Sequence, residues 1–222
     1  MKRTEVKTKL ETSVINPDKI PRVLKKGEFG LALDWAVWDT KTKEVTEQRS
    51  KRGESFLRQF LDIWYMVAEG THPAVASLIT DYTNTGRWVF PNRYTWTVTG
   101  AAGDVTRGII VGTGNTAPDI SNYYIETLIA HGVGAGQLQY SLTSVAAPAS
   151  DVTTSQFTIT RNFANGSGGA ITVNEIACCV LVQAYPSATS YYFTIIRDVI
   201  AGGIAVPNGQ TLTVNYRPQA VV

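Results

Sequence analysis

Residues 157–163 alternate without a break: Phe157, Ile159, Arg161 and Phe163 take one side, and Thr158, Thr160 and Asn162 the other. A period of two has meaning only in an extended strand, where side chains change face at every residue. The pattern constrains the fold because it recurs. Gly27 to Asp39 sets Phe29, Leu31, Leu33, Trp35 and Val37 against Gly30, Ala32, Asp34, Ala36 and Trp38, the pattern of a half-buried strand. Further strands are predicted at 87–98, 107–111, 126–130, 137–142, 171–182, 191–197 and 210–216. Between them stand Gly112-Thr-Gly-Asn115, Gly132-Val-Gly-Ala-Gly136, Ala164-Asn-Gly-Ser-Gly-Gly169 and Pro207-Asn-Gly209. Short strands with such punctuation predict a mainly β chain, an antiparallel β-sandwich of the jelly-roll or Ig-like kind. No internal repeat of fixed period is present.

Three segments precede the sandwich. Residues 1–28 lack apolar periodicity, carry Lys2, Arg3, Lys7 and Lys9 among Thr and Glu, and contain Pro17 and Pro21. Proline fixes its own backbone angle and biases its predecessor away from helix, so this is read as an extended basic arm, ordered only where it lies on something else. Residues 29–70 form a docking region. Its first part is a hairpin, with Asp39-Thr-Lys-Thr-Lys43 as the turn and Glu44 to Arg49 as the exposed return strand. Its second part is a helix from Ser55, the expected N-cap, to Glu69, stopped by Gly70 with Pro73 beyond. Phe56, Phe60, Ile63, Trp64 and Val67 recur at helical spacing, and Leu57 and Leu61 widen the stripe. A face that broad must be buried, against the β-domain or against another subunit. Residues 71–222 are the β-sandwich domain.

Hydrophobic content is 44% and charged content 17%, a balance opposite to that of disordered chains. No run approaches the ~20 apolar residues of a membrane-spanning helix. The basic start is not followed by the apolar core of a secretory signal, so the expectation is synthesis in the cytoplasm without membrane insertion. Net charge is +2, but its distribution is uneven. Residues 1–62 hold 14 of the 20 Lys+Arg and 10 of the 18 Asp+Glu, and no lysine follows Lys51. Glu5, Glu11, Asp18 and Glu28 interrupt the arm and no aromatic residue precedes Phe29, which favours a subunit-docking arm over a specific nucleic-acid contact.

No linear signature of catalysis, cofactor or metal emerges. His72 and His131 sit at loop edges, with no second ligand at metal spacing. Gly112-Thr-Gly-Asn-Thr116 lacks the third glycine of a dinucleotide fingerprint and the Gly-Lys-Ser/Thr ending of a phosphate loop, so it is read as a turn. Asp104, Asp119, Glu126, Asp151, Glu175 and Asp198 are scattered, and no two are marked as a glycosidase pair. Arg197-Asp198 is read as a structural ion pair or a turn cap. Cys178 and Cys179 are adjacent, so in a strand they point to opposite faces and do not bond each other; one belongs in a core and the other nearer the surface.

Several of these segments, in order, resemble a widespread and largely uncharacterised group of tailed-bacteriophage virion proteins. Arg107-Gly-Ile-Ile-Val-Gly-Thr-Gly-Asn115, Tyr123-Tyr-Ile-Glu-Thr127 and His131-Gly-Val-Gly-Ala-Gly-Gln-Leu138 are similar to that group's G-[IV]-V-V-G-T-G start, its LET element and its HG…GQL.Y turn. Phe157 to Phe163, Asn165 to Gly169 and Ile171-Thr-Val-Asn-Glu-Ile176 resemble its next strand, NxSGG turn and ITVNEI strand. Arg197-Asp-Val199 and Ala205-Val-Pro-Asn-Gly-Gln-Thr-Leu-Thr-Val214 resemble its RDV…VPxGQTLTV ending, and Ser55-Phe-Leu-Arg-Gln-Phe-Leu61 the helix before the domain. The usual Gly-Leu after Glu-Ile is Ala177-Cys178 here, a difference of packing.

The resemblance implies a virion structural protein, not an enzyme: a capsid decoration or auxiliary protein, or a tail or baseplate component. Its expected partners are other copies of itself, as a homo-oligomer of closed symmetry, and other virion proteins. A second reading is a module binding a host-surface glycan, with Trp88, Tyr94, Trp96, Tyr123 and Tyr124 stacking on sugars. A third, more remote, is a cell-wall hydrolase.

Overall fold

The computed structural model describes residues 15, 23–53, 56–69, 79–87, 96–183 and 189–222. In chain order the elements are β1 (Phe29–Asp39), β2 (Val45–Arg52), α1 (Arg58–Glu69), β3 (Ile79–Thr80), β4 (Gly86–Arg87), β5 (Gly108–Gly112) and β6 (Gln139–Tyr140). They continue with β7 (Ser144–Val145), β8 (Ala149–Ser150), β9 (Thr154–Gln156), β10 (Ile159–Ala164), β11 (Ile171–Gln183), β12 (Ser190–Val206) and β13 (Gln210–Val221). The fold is mainly β with antiparallel sheets in a sandwich-like arrangement, as the alternation predicts.

The larger sheet runs β2-β1-β13-β10-β6, with β7 on β10 and β9 on β13; the smaller runs β12-β11-β5. β13 is the spine. It pairs with β1 from Phe29↔Ala220 to Asp39↔Gln210, and with β10 from Ile159↔Tyr216 to Ala164↔Thr211. This register gathers Leu33, Trp35, Val37, Leu212, Val214, Tyr216, Ile159 and Phe163 on one face, all buried. Across the core, Val173, Ile176, Ala177, Val180 and Val182 of β11 are fully buried. Each branched side chain so removed from water contributes roughly 1.5–3 kcal/mol. Polar ties join the sheets, since the Tyr216 hydroxyl donates to Ile176 O at 3.1 Å.

The hairpin forms as predicted, with β2 antiparallel to β1. Yet β1 is not half-buried: Gly30 to Trp38 are buried on both faces. Its second face carries small or bonded groups. Leu24 packs over Gly30, Asp34 accepts from Arg217 and Ser50, and Trp38 Nε1 donates to Thr213 Oγ1 at 2.9 Å. The boundary drawn after residue 70 is crossed by the whole β1–β13 ladder, so the hairpin belongs to the domain's own sheet. Of the arm, Ile15 and Leu24 are buried, and Gly27 N donates to Val221 O at 2.7 Å. The remainder of residues 1–22 lies outside the described residues.

The helix begins at Arg58; Ser55, Gly70 and Pro73 lie outside the described residues. Leu57 and Ile63 are buried, but Leu61, Trp64 and Tyr65 are exposed. Within the single chain the stripe is thus covered only in part, and Leu61, Trp64 and Tyr65 are what the expectation assigns to another subunit. A helix advances 100° per residue, and a stripe this wide turns only one flank onto β12.

Two strand assignments also change. Residues 126–130 are not a strand: Leu128 makes one isolated bridge to Gly112, and neighbouring N–H groups serve a side chain instead. In 137–142 only Gln139–Tyr140 forms a strand, with Leu138 in an isolated bridge to His131. Most of the predicted 87–98 strand lies outside the described residues; Thr97 bridges Leu181.

Candidate functional site

A dense polar cluster is built around Glu175. The register of β11 shifts between Val173 and Glu175, and the carboxylate turns toward the end of β5. Oε1 accepts from Gly114 N at 2.9 Å and Thr127 N at 2.8 Å; Oε2 accepts from Glu126 N at 3.0 Å and Arg197 Nε at 3.0 Å. Arg197 Nη2 lies 2.9 Å from Oε2 and 3.5 Å from Glu126 Oε2, while Nη1 donates to Asn122 Oδ1 at 3.0 Å. Glu175 and Arg197 are both buried. They sit diagonally on the β11–β12 ladder, where Ala177 faces Arg197 and Glu175 faces Val199.

This explains the glycines of Gly112-Thr-Gly114 without an external anion. A Cβ on Gly112 would come within 2.6 Å of Glu175 Oε1, and one on Gly114 within 2.5 Å of the Glu126 Cβ. Glycine is required because backbone must touch a carboxylate of the same chain. Four separated motifs converge here: the GTG turn, the Glu126-Thr127 pair, Glu175 and Arg197. Nothing in linear spacing announces their meeting.

The other motif residues also hold backbone. His131 Nδ1 accepts from Tyr140 N at 3.0 Å, closing the glycine-rich turn, and the Tyr140 hydroxyl donates to Ile129 O at 2.7 Å. Asn165 Nδ2 donates to Gly169 O and Val206 O at 2.8 and 2.7 Å, and its Oδ1 accepts from Ser167 N. His72 lies outside the described residues.

Arg161 is fully buried on the inward face of β10. It donates to the carbonyls of Ser141, Arg107, Ile109 and Ala101 at 2.8–3.1 Å, and its guanidinium lies 4.9 Å from the Tyr140 ring centre. Burial pulls its pKa down, and burial likewise raises that of the Tyr140 phenol. Alternation grouped Arg161 with Ile159 and Phe163 on one side, but its four carbonyl partners carry no sequence signal.

Of the scattered acids, only Glu126 and Glu175 are brought together, with Arg197 between them. Asp104 receives the Thr106 N–H, Asp119 that of Ser121 and Asp151 that of Thr153, each a local turn. The Thr116 N–H and hydroxyl, with Arg197, hold Glu126 below the ordinary carboxylate range. A glycosidase general acid needs the opposite shift. Arg197 and Asp198 do not pair with each other. They lie within β12, and Asp198 accepts from the Tyr216 hydroxyl at 3.0 Å, with Lys51 Nζ at 3.9 Å.

Cys178 and Cys179 are both free and both fully buried, correcting the expectation that one lies nearer the surface. β11 is the central strand of its sheet, and core packs on both of its faces. Among the described residues no group of three His, Cys, Asp or Glu is placed to hold a metal, and no helix is long and apolar enough to cross a membrane.

Two concave surfaces stand out among the described residues. The first is an apolar groove of about 780 Å³ at one end of the sandwich, beneath α1. Phe29, Phe56, Phe60, Trp64, Trp96 and Phe157 line it, with Phe56 stacked on Phe60 at 4.2 Å and Trp96 edge-on to Phe60 at 5.7 Å. The second, of about 420 Å³, is polar and lies over the Glu175–Arg197 cluster; Tyr82, Asn122, Tyr123, Tyr124, Glu126 and Arg197 line it. Of the aromatics proposed to stack on sugars, Trp96 is thus in the groove and Tyr123 and Tyr124 are in the polar pocket, while Trp88 and Tyr94 lie outside the described residues. No protein-family model matches the chain, and no match is found among the curated proteins or the solved structures compared with it.

Proposed function

We propose that this chain is a structural subunit of a tailed-phage virion, a capsid decoration or auxiliary protein or a tail or baseplate component, assembled as a homo-oligomer. The reading rests first on the motif resemblance. The single structural observation that supports it is the aromatic groove beneath α1, whose lining includes the exposed side chains of Phe29, Trp64 and Phe157. Contiguous apolar surface of this kind on a single chain marks an interaction site. Against it stand polar side chains turned inward: Glu175, Arg197, Arg161, Asn165 and His131 each bond the chain's own groups. Their role in this reading is to hold the framework, and the groove and helix are where neighbours attach.

The test is composition and position. Mass spectrometry of density-purified particles should find the protein at a fixed multiple of a known capsid or tail protein, and immunogold labelling should place it at one station. Leu61→Ser with Trp64→Ser should keep the melting temperature within a few degrees yet abolish incorporation. Particles that lack the protein while it accumulates free in lysates would refute the proposal.

A further inference from the structure

We infer that the pocket over the Glu175–Arg197 cluster is a binding site for a neutral sugar, a hexose or N-acetylhexosamine residue. The pocket holds about 420 Å³, at the small end of the ~300–1,000 Å³ range of ligand sites. Its walls pair aromatic rings with planar polar groups. Tyr82 is held by Tyr124 at 5.4 Å and Tyr192 at 5.7 Å, so its ring is fixed before any ligand arrives. Tyr123 stands at the rim, 36% exposed. The Tyr124 hydroxyl is committed to Val105 O at 3.2 Å, leaving that residue's ring as its contribution. A sugar presents the complementary surface, an apolar C–H face edged by hydroxyls that both donate and accept.

The polar groups suit hydroxyls rather than an anion. Glu126 supplies carboxylate oxygens at the mouth, and its side chain is 42% exposed. Asn122 has its Oδ1 engaged by Arg197 Nη1 and by the Asp119 N–H, so the amide nitrogen is the donor it can offer a ligand. Arg197 is the one cation lining the pocket among the described residues, and two carboxylates, Glu175 and Glu126, already face it. The balance at the pocket floor is one negative charge. A sialic acid, uronate or phosphate would meet repulsion and an arginine already occupied, whereas a neutral ring with adjacent hydroxyls meets an acceptor, a donor and the tyrosine rings. This holds wherever in a particle the protein sits, and it does not depend on the assembly reading.

The experiment uses the full chain. A glycan array tests chain-linked sugars, and saturation-transfer NMR with free glucose, galactose, N-acetylglucosamine and sialic acid tests the free forms. Retention of neutral glycans, or saturation transfer to a neutral monosaccharide, is expected, with sialic acid silent. Tyr123→Ala should weaken binding about tenfold, as should Glu126→Gln, with melting temperatures recorded so that loss of fold is not read as loss of site. The inference fails if no neutral sugar binds at ~10 mM, on the order of the weakest useful affinities. It fails equally if binding survives both substitutions unchanged, or if acidic glycans bind in preference.

Discussion

Glu175→Gln replaces one oxygen of a carboxylate whose two oxygens together take five donor contacts. The glutamine amide must place its NH₂ on one side or the other. Where Oε1 stood, it would face the N–H groups of Gly114 and Thr127; where Oε2 stood, it would face Glu126 N and the Arg197 guanidinium. Either choice strands at least two buried donors, at ~1–3 kcal/mol each. Loss of the charge also leaves Arg197, 2% exposed, with Glu126 at 3.5 Å as its remaining carboxylate beside the neutral bond to Asn122 Oδ1, and breaking a buried pair on one side costs ~3–5 kcal/mol. The two contributions overlap, because some of the stranded donors belong to Arg197. The expected loss is therefore about 3–5 kcal/mol, read from urea unfolding at pH 7. Replacing both partners, as in Glu175→Leu with Arg197→Met, is often nearly neutral for buried pairs. Here it should not rescue stability, because the N–H groups of Gly114, Glu126 and Thr127 remain without an acceptor. A loss below ~1 kcal/mol for Glu175→Gln, or recovery in the double variant, would refute the account of this cluster.

Three further outcomes follow from the same geometry. Gly114→Ala should cost at least ~2 kcal/mol through collision with Glu126 and Glu175, whereas Gly209→Ala, at φ +82° with open space around it, should cost only about 1 kcal/mol; equal losses in thermal melts would contradict this. Burial raises both cysteine thiols, Cys179 to about 12, so Ellman's reagent at pH 8 should label neither until denaturant is added, and rapid labelling of the folded protein would be the contrary result. Burial alone would raise Asp81, but bonds from the Thr83 hydroxyl, Arg87 and the Thr83 and Thr85 N–H groups hold it below 3.8. With the folded value below the unfolded one, its ionised form stabilises fully above the unfolded pKa, and that contribution is lost as pH falls through the folded value. The gap in melting temperature between the native protein and Asp81→Asn should therefore be widest near pH 7 and close in acid; a pH-independent gap would be inconsistent.

The fold was legible wherever one residue's neighbours decide its state. The β10 alternation grouped Arg161 with Ile159 and Phe163, the side that the structure turns inward, and the hairpin turn at Asp39 announced β1 and β2. Residues 126–130 misled because Leu128 and Ile129 look like strand, while the N–H groups of Glu126 and Thr127 are drawn to a carboxylate some 50 positions away. The burial of both cysteines was hidden for a similar reason: alternation gives two faces but not whether both are covered. The Glu175 cluster depends on a shifted register in β11 and on backbone donors, and neither leaves a mark in residue spacing. Of the polar pocket, Tyr123 and Tyr124 were visible as candidates, whereas Tyr82, Asn122 and Arg197 join them only in three dimensions.

The position of β13 has a consequence in time. Leu33 meets Tyr216, and the strand carrying Leu33 has β13 as its main partner on one side for its entire length. At ~5–20 residues per second, a ribosome needs roughly ten to forty seconds to make the chain between them. Throughout that interval β1 has only β2 along one edge, and its other edge of Trp35- and Val37-bearing backbone waits open to any extended chain nearby. Newly made molecules are thus vulnerable to pairing with one another until β13 is made. Slower elongation should lower the yield of soluble protein, while a chaperone that covers this edge should raise it.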